Sequence, residues 1–416
     1  MFVHLLQISY LCTVKNEKTI RITEMKKSLF IMLAAATLAS CSKKQDAAAD
    51  AATTPADTTF QVLTDRVIEV TLDTFDFEAG AQYLQQKYDP LLASADTTAG
   101  EKMGGCSAIR VDLDGKHYVG RNYDFYCSDA PAVVVRLNAG KYKTLGICNS
   151  PSSFDVWTNP QDYQIRPAVF KALPYLCCDV MNEAGLYAET NIRPNEPGLE
   201  CTSTAPGKPR RCTQSMMQLL LSQYESLEEI EQHLNDYDWF DLQKMGFQQS
   251  FFITDRNGES IIIEFAQNQV KWQKSDCNAN FYINPDFYAL EKQGCGELRI
   301  AHEKALLPEV KTEDDIFRMM KAGAYDQFYH SSIDADYAIP EFYANIGYDR
   351  VTCPKHLDDA RQKVKDLIAT FDVMTWEERV ANHTWETTFS TVANITDRTL
   401  HVHFSEHYGI DFTVGF

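Results

Sequence analysis

Residues 104–124, GGCSAIRVDLDGKHYVGRNYD, constrain the fold more than any other stretch of this chain. Ile109, Val111 and Leu113 alternate with polar residues, which is the period of a half-buried strand. Asp114-Gly115 then supplies the left-handed pair that a two-residue type I′ turn requires. The register follows: Leu113 faces Lys116, Ala108 faces Arg121 and Cys106 faces Tyr123. Side chains on one face of a strand recur every second residue. Cys106, Ala108 and Arg121 therefore share a face, with the Arg121 guanidinium diagonal to the Cys106 thiol. Asp124 lies just past this pairing.

The two glycines before Cys106 free the backbone for conformations that most residues cannot adopt. That suits attack of the Cys106 thiol on the Gly105 carbonyl. Thioester formation breaks the C–N bond and frees the α-amine of Cys106, and hydrolysis of the thioester then frees the thiol. A free α-amine has a reference pKa of about 8, well below that of lysine, so it can take the thiol proton without a histidine. Other chemistries are excluded. The chain has no GxxxxGK[ST], HExxH or paired CxxC motif, which removes a P-loop, a zincin and a zinc ribbon. A formal charge of −19 over 416 residues repels nucleic acid and anionic membranes.

The N-terminal region reads as an address. From Met25, MKKSLFIMLAAATLASCSKKQD has a basic start at Lys26-Lys27 and an apolar run at 29–38 too short for a membrane span. Leu38-Ala39-Ser40-Cys41 matches a bacterial lipobox, so Cys41 is expected to be lipidated and to anchor an exported chain. Met25 is then the expected initiator. Residues 42–58 are rich in Ala, Asp and Thr and read as a tether. The expected domains are a signal region (1–41), a tether and propeptide (42–105) and a catalytic domain (106–416).

Residues 60–73 read as a strand and 76–93 as a short helix. Hairpins are expected over 174–192, turning at Asn182–Gly185, over 250–265 and over 387–405. Helices are expected over 212–235, 296–307, 312–322 and 354–371. Hairpins and helices in separate blocks favour α+β layers over alternating βαβ units. Export permits disulfides, and Cys201 and Cys212 bracket a loop that a disulfide could close. Cys177-Cys178 reads as buried packing.

From Cys106 onward the chain resembles the linear amide carbon–nitrogen hydrolases. These include bile-salt hydrolases, penicillin V acylases and the acid ceramidase and N-acylethanolamine acid amidase branch. The resemblance rests on C-S-x-I at 106–109, G-R-N-Y-D at 120–124, M-N-E-A-G-L at 181–186 and Asn284-Pro285. The order of helix and hairpin over 212–265 and the S-T-V-A-N-I-T-D-R-T-L segment at 390–400 complete it. It implies a four-layer αββα sandwich with an N-terminal nucleophile and no cofactor. It also implies the roles. Cys106 is nucleophile and, through its amine, base. Arg121 and Asp124 fix and tune it. Asn191 lines the oxyanion site, Asn284 stabilises the oxyanion, and Arg299 is the second arginine.

Three departures stand out. The first hairpin and the spacing from Gly185 to Asn191 are each a residue shorter than in bile-salt hydrolases, and 65 residues separate Cys41 from Cys106. A Gly-Cys junction after a sizeable piece is more similar to isopenicillin N acyltransferase or the acid ceramidase branch, where the released piece stays bound as a small subunit. Acyl transfer is therefore an alternative to hydrolysis. A surface lipoprotein that binds a ligand without catalysis is a second. The expected partner is a small acyl amide. Loops at 125–165 and 192–212 are the expected specificity elements, with Tyr123, Phe125, Tyr126, Phe154 and Trp157 as acyl-pocket candidates. Oligomeric state stays open, although members of the resembled family often assemble.

Overall fold

Antiparallel pairing on both sides of the hairpin that follows Cys106 sets the architecture. The computed structural model describes residues 54–88, 106–126, 130–148, 156–194, 198–241, 247–291, 296–324, 374–381, 385–404 and 410–416. Strand β3 (Ser107–Leu113) and β4 (Lys116–Tyr126) pair in the register expected from Asp114-Gly115, with Ala108 opposite Arg121 and Leu113 opposite Lys116. Asp114 and Gly115 both have positive φ, as that turn demands.

On one side β3 pairs with β16 (Cys277–Ala279), and on the other β4 pairs with β17 (Trp385–Asn394). With β18 (Thr399–Phe404) and β19 (Asp411–Gly415) they form a six-stranded sheet in the order β16-β3-β4-β17-β18-β19. The second sheet has nine strands. They are β1 (Thr58–Thr64), β2 (Val67–Leu72), β5 (Ala132–Leu137), β6 (Thr144–Cys148), β9 (Cys177–Asn182), β10 (Tyr187–Pro194), β13 (Phe247–Thr254), β14 (Ser260–Ala266) and β15 (Gln269–Lys274), in that order across the sheet. Two short two-stranded pairs, β7 (Trp157–Asn159) with β8 (Gln164–Ile165) and β11 (Arg210–Cys212) with β12 (Asp238–Phe240), lie apart from both sheets.

The sheets face each other. Arg121 of β4 reaches Asp179 of β9 and Glu189 of β10, and Asn278 of β16 reaches Glu189 and Ser250 of β13. The outer face of the six-stranded sheet carries helices α5 (Glu297–Leu306) and α6 (Glu313–Ala322). A side chain at Gly120 would meet Ile316 and Met320 at 2.9 Å, which shows how closely α6 lies on β4. Thr312 and Asp315 cap the start of α6 reciprocally. On the outer face of the nine-stranded sheet, α2 (Met216–Leu221) packs on β9 and β10. The remaining helices are α1 (Phe77–Tyr88), α3 (Leu227–His233), α4 (Pro285–Tyr288) and α7 (Trp376–Ala381). Two sheets with a helical layer outside each make the expected α+β, four-layer αββα sandwich.

Three expectations need correction. Residues 60–73 are not one strand but the hairpin β1–β2, which reverses at Asp65-Arg66. Residues 125–165 are not simply loop, because Ala132–Leu137 and Thr144–Cys148 are strands within the nine-stranded sheet. The Val-rich run 132–137 is buried almost throughout, as a strand covered on both faces must be. Cys201 and Cys212 are both buried and are not joined in a disulfide. The expected end of the first helix beyond residue 88 and the 354–371 helix lie outside the described residues, as does Cys41. Pro55–Phe416 cluster as one compact unit, which takes in β1, β2 and α1 as well as everything after Cys106.

Candidate active site

Alternation along β4 separates the GRNYD residues onto two faces. Arg121 points between the sheets and is fully buried. Its Nε donates to Glu189 Oε2 at 2.9 Å and its Nη2 to the Thr190 carbonyl at 2.6 Å, while Nη1 pairs with Asp179. The Tyr123 ring lies 4.8 Å from the guanidinium carbon. Asp124 points the other way, under α5. Its Oδ2 accepts from Arg299 Nη1 at 2.7 Å and its Oδ1 from Thr387 Oγ1 at 2.6 Å. Arg299 is fully buried as well, and its Nε and Nη2 both donate to the Gly323 carbonyl. The two arginines thus hold two separate charge networks on opposite faces of one sheet.

Cys106 sits at the head of β3 between these networks, 1% exposed. Its Sγ lies 3.8 Å from the Asp124 backbone carbonyl oxygen. Burial pushes the thiol up to about 12, against the pull of the nearby Arg121 guanidinium, while Asp124 and Glu189 push the same way as burial. A thiol so held is protonated at neutral pH and needs a base. Glu189 is pushed up to about 7, first by burial, with Arg121 opposing.

The oxyanion candidates separate clearly. Asn191 lies on β10, two residues past Glu189 on the same face, and is fully buried. Both its amide oxygen and its amide nitrogen lack a hydrogen-bond partner. Leaving such a group unpaired in a protein interior costs about 1–3 kcal/mol, which marks it as waiting for a partner. Asn284 is not brought to this group. Its side chain caps α4, accepting from Asp286 N at 3.1 Å, and its Nδ2 faces Gln273 of β15 at 3.4 Å.

Asn280 is a further buried asparagine that sequence reasoning did not single out. β16 pairs Asn278 with Ala108 and Ala279 with Ser107, and Asn280 follows directly on that strand, as Cys106 directly precedes β3. Asn280 is 2% exposed, and its Nδ2 donates to the Ile192 carbonyl beside Asn191. Asn278, on the same face, donates to Glu189 at 2.8 Å. Asn278 to Glu189 and Asn280 to the Ile192 carbonyl are two successive links from β16 and the residue after it to β10 of the facing sheet. The sequence signal was the C-N-A-N alternation at 277–280, which puts both asparagines on one face. Asp179, Glu189, Thr387 and Glu303, a buried carboxylate bonded to Ser107, were also missed. Gly105, Tyr126 and Phe154 lie outside the described residues or side chains. Tyr123 and Phe125 are core, stacked at 5.8 Å, and Trp157 is buried.

Residues 106–277 match the family model of the linear amide C–N hydrolases, choloylglycine hydrolase family. No curated protein matches the chain. Among solved structures, a variant of conjugated bile acid hydrolase from Clostridium perfringens is similar at 13% identity and TM-score 0.40, over 74% of this chain and 92% of that one. A second variant of that enzyme is similar at 15% identity and TM-score 0.41, over 75% and 92%. Penicillin V acylase from Agrobacterium tumefaciens is similar at 13% identity and TM-score 0.39, over 75% and 86%. Through residues 106–277 the chain is similar to the linear amide C–N hydrolases, choloylglycine hydrolase family.

Proposed function

We propose that Cys106 is the nucleophile of this hydrolase and that the chain first cuts itself between Gly105 and Cys106. The observation that carries this is the buried Cys106 thiol at the head of β3, within the pull of the Arg121 guanidinium, with a fully buried, unpartnered Asn191 amide on β10 of the facing sheet. In the first reaction Sγ attacks the Gly105 carbonyl carbon. The C–N bond to Cys106 breaks, and its nitrogen takes the thiol proton. Water then cleaves the thioester, which leaves a Gly105 carboxylate, a free thiol and a free α-amine.

In turnover the α-amine takes the thiol proton and sulfur attacks the substrate's amide carbon. Asn191 and Asn280 supply N–H groups to the developing oxyanion, where preorganised donors contribute most. The ammonium proton passes to the leaving amine, and water releases the acid from the acyl-thioester. Arg121 favours the thiolate electrostatically. The substrate is a linear N-acyl amide of the bile-salt, penicillin V or fatty-amide kind. An added amine such as hydroxylamine separates hydrolysis from acyl transfer by its acylated product.

In this reading the cut leaves β1, β2 and α1 as a retained small subunit, because β2 is an internal strand of the nine-stranded sheet. The lipobox places the anchor at Cys41 on that subunit and the enzyme in a bacterial cell envelope. Intact mass of a chain starting after Cys41, beside Cys106→Ala, tests the reading. Wild type is expected to yield a fragment beginning at Cys106 and to hydrolyse N-acyl amides, while the control stays whole and inactive. A wild type that stays whole and inactive sinks the proposal.

A further inference from the structure

Glu303 has no place in the mechanism above, yet it is a carboxylate fully buried beside the nucleophile. It lies one turn after Arg299 on α5, and its Oε1 accepts from Ser107 Oγ at 2.6 Å. Ser107 is bonded directly to Cys106. The other oxygen, Oε2, is buried with no hydrogen-bond partner. Room for the carboxylate exists because residue 323 is glycine: a side-chain carbon there would sit 2.2 Å from Oε1.

The charges around it do not balance. Among the described residues, Arg299 on its own helix and Asp124 from β4 are the charged groups that act on Glu303, with the Ser107 hydroxyl from β3. Within this set two carboxylates face one cation. Burial pushes Glu303 up to about 7, with Arg299 opposing and Asp124 adding to the rise. Freeing the α-amine of Cys106 supplies the missing cation and N–H donors at the head of the same strand. The sum then becomes zero, and the unpartnered oxygen gains a donor.

We infer that Glu303 is a positioning residue that receives the new α-ammonium of Cys106 through Oε2 and holds its nitrogen toward the thiol. The inference rests on the proposed N-terminal nucleophile. Before the cut it has no task. After it, the carboxylate favours the ammonium form and raises the amine's pKa. The amine and Glu303 titrate as a coupled pair. The base form is the neutral amine, so activity falls on the acid side as the ammonium forms.

The test is the pH profile of kcat/KM for self-cut wild type, Glu303→Gln and Glu303→Asp, all as full chains, using one N-acyl amide that wild type hydrolyses. Glu303→Gln is expected to be cut like wild type, with its acid limb moved down by roughly one to three pH units. Glu303→Asp is expected to restore part of that shift. An unmoved limb in Glu303→Gln overturns the inference, even if activity drops uniformly. A Glu303→Gln chain that stays whole also overturns it, because Glu303 would then act before any amine exists. Wild type that is neither cut nor active sinks the nucleophile reading itself, which separates the two failures.

Discussion

Retention of the piece before Cys106 can be worked out from what it buries. Val67, Ile68, Val70 and Leu72 of β2 and Leu84 of α1 are each at most 2% exposed. Burying such side chains contributes about 1.5–3 kcal/mol each, or roughly 7–15 kcal/mol gross for five. β2 also pairs along its whole length with β5, from Val67 opposite Ala132 to Leu72 opposite Leu137, and Arg136 bonds Glu69 at 2.7 Å. Losing the piece would bare β5, a Val-rich strand with unpaired backbone groups, as a sheet edge. The cut protein is therefore expected to elute as one species from a sizing column in native buffer and as two fragments in denaturant. Leu84→Ala should weaken the association by about 2–5 kcal/mol, the usual cost of deleting a buried leucine side chain. At 1.4 kcal/mol per tenfold this is roughly a 30- to 4,000-fold rise in Kd, readable by dilution before sizing. Wild-type fragments that part at micromolar concentration in native buffer would refute the reasoning, since the buried surface would then not be holding them.

Two further predictions separate the site residues. Asn191→Ala and Asn280→Ala should each lower kcat by roughly 10²–10³ with KM little changed, as loss of an oxyanion donor does. Asn284→Ala should lose only a helix cap, about 0.5–2 kcal/mol in stability, and keep kcat; a kcat loss there equal to that of Asn191→Ala would restore the sequence-based assignment. Arg299→Met leaves the buried Asp124 carboxylate without its cation and should cost about 3–5 kcal/mol, seen as a lower denaturant midpoint. Adding Asp124→Asn should recover part of that loss, and additive losses would show that the pair is not coupled.

The β3–β4 hairpin was legible because a turn of two residues fixes its register without help from the rest of the chain. The β9–β10 and β13–β14 turns are longer, but Gly185 and Gly258, both with positive φ, mark them. The β1–β2 turn, Asp65-Arg66, carries no glycine, so two strands read as one. The run 132–137 was missed as a strand for a different reason. Its neighbour β2 lies some sixty residues earlier in the chain and pairs with it in parallel, and no local pattern encodes such a partner.

The asparagines show where sequence reasoning runs out on the same ground. Asn284-Pro285 is a strong local signal, and locally it does what Asn before Pro does at a helix start: it caps. Asn280 has no such signal. Only the pairing of β16 on β3 brings it to the head of the nucleophile strand, and only the stacking of the two sheets sets its amide on the Ile192 carbonyl of β10. Arg299 is the parallel case, since a helix with Glu297 and Glu303 reads equally well as a solvated face. A buried guanidinium needs carbonyls and a carboxylate aimed at it. Gly323, at the end of one helix, and Asp124, in the middle of a distant strand, supply them together only after the layers have closed.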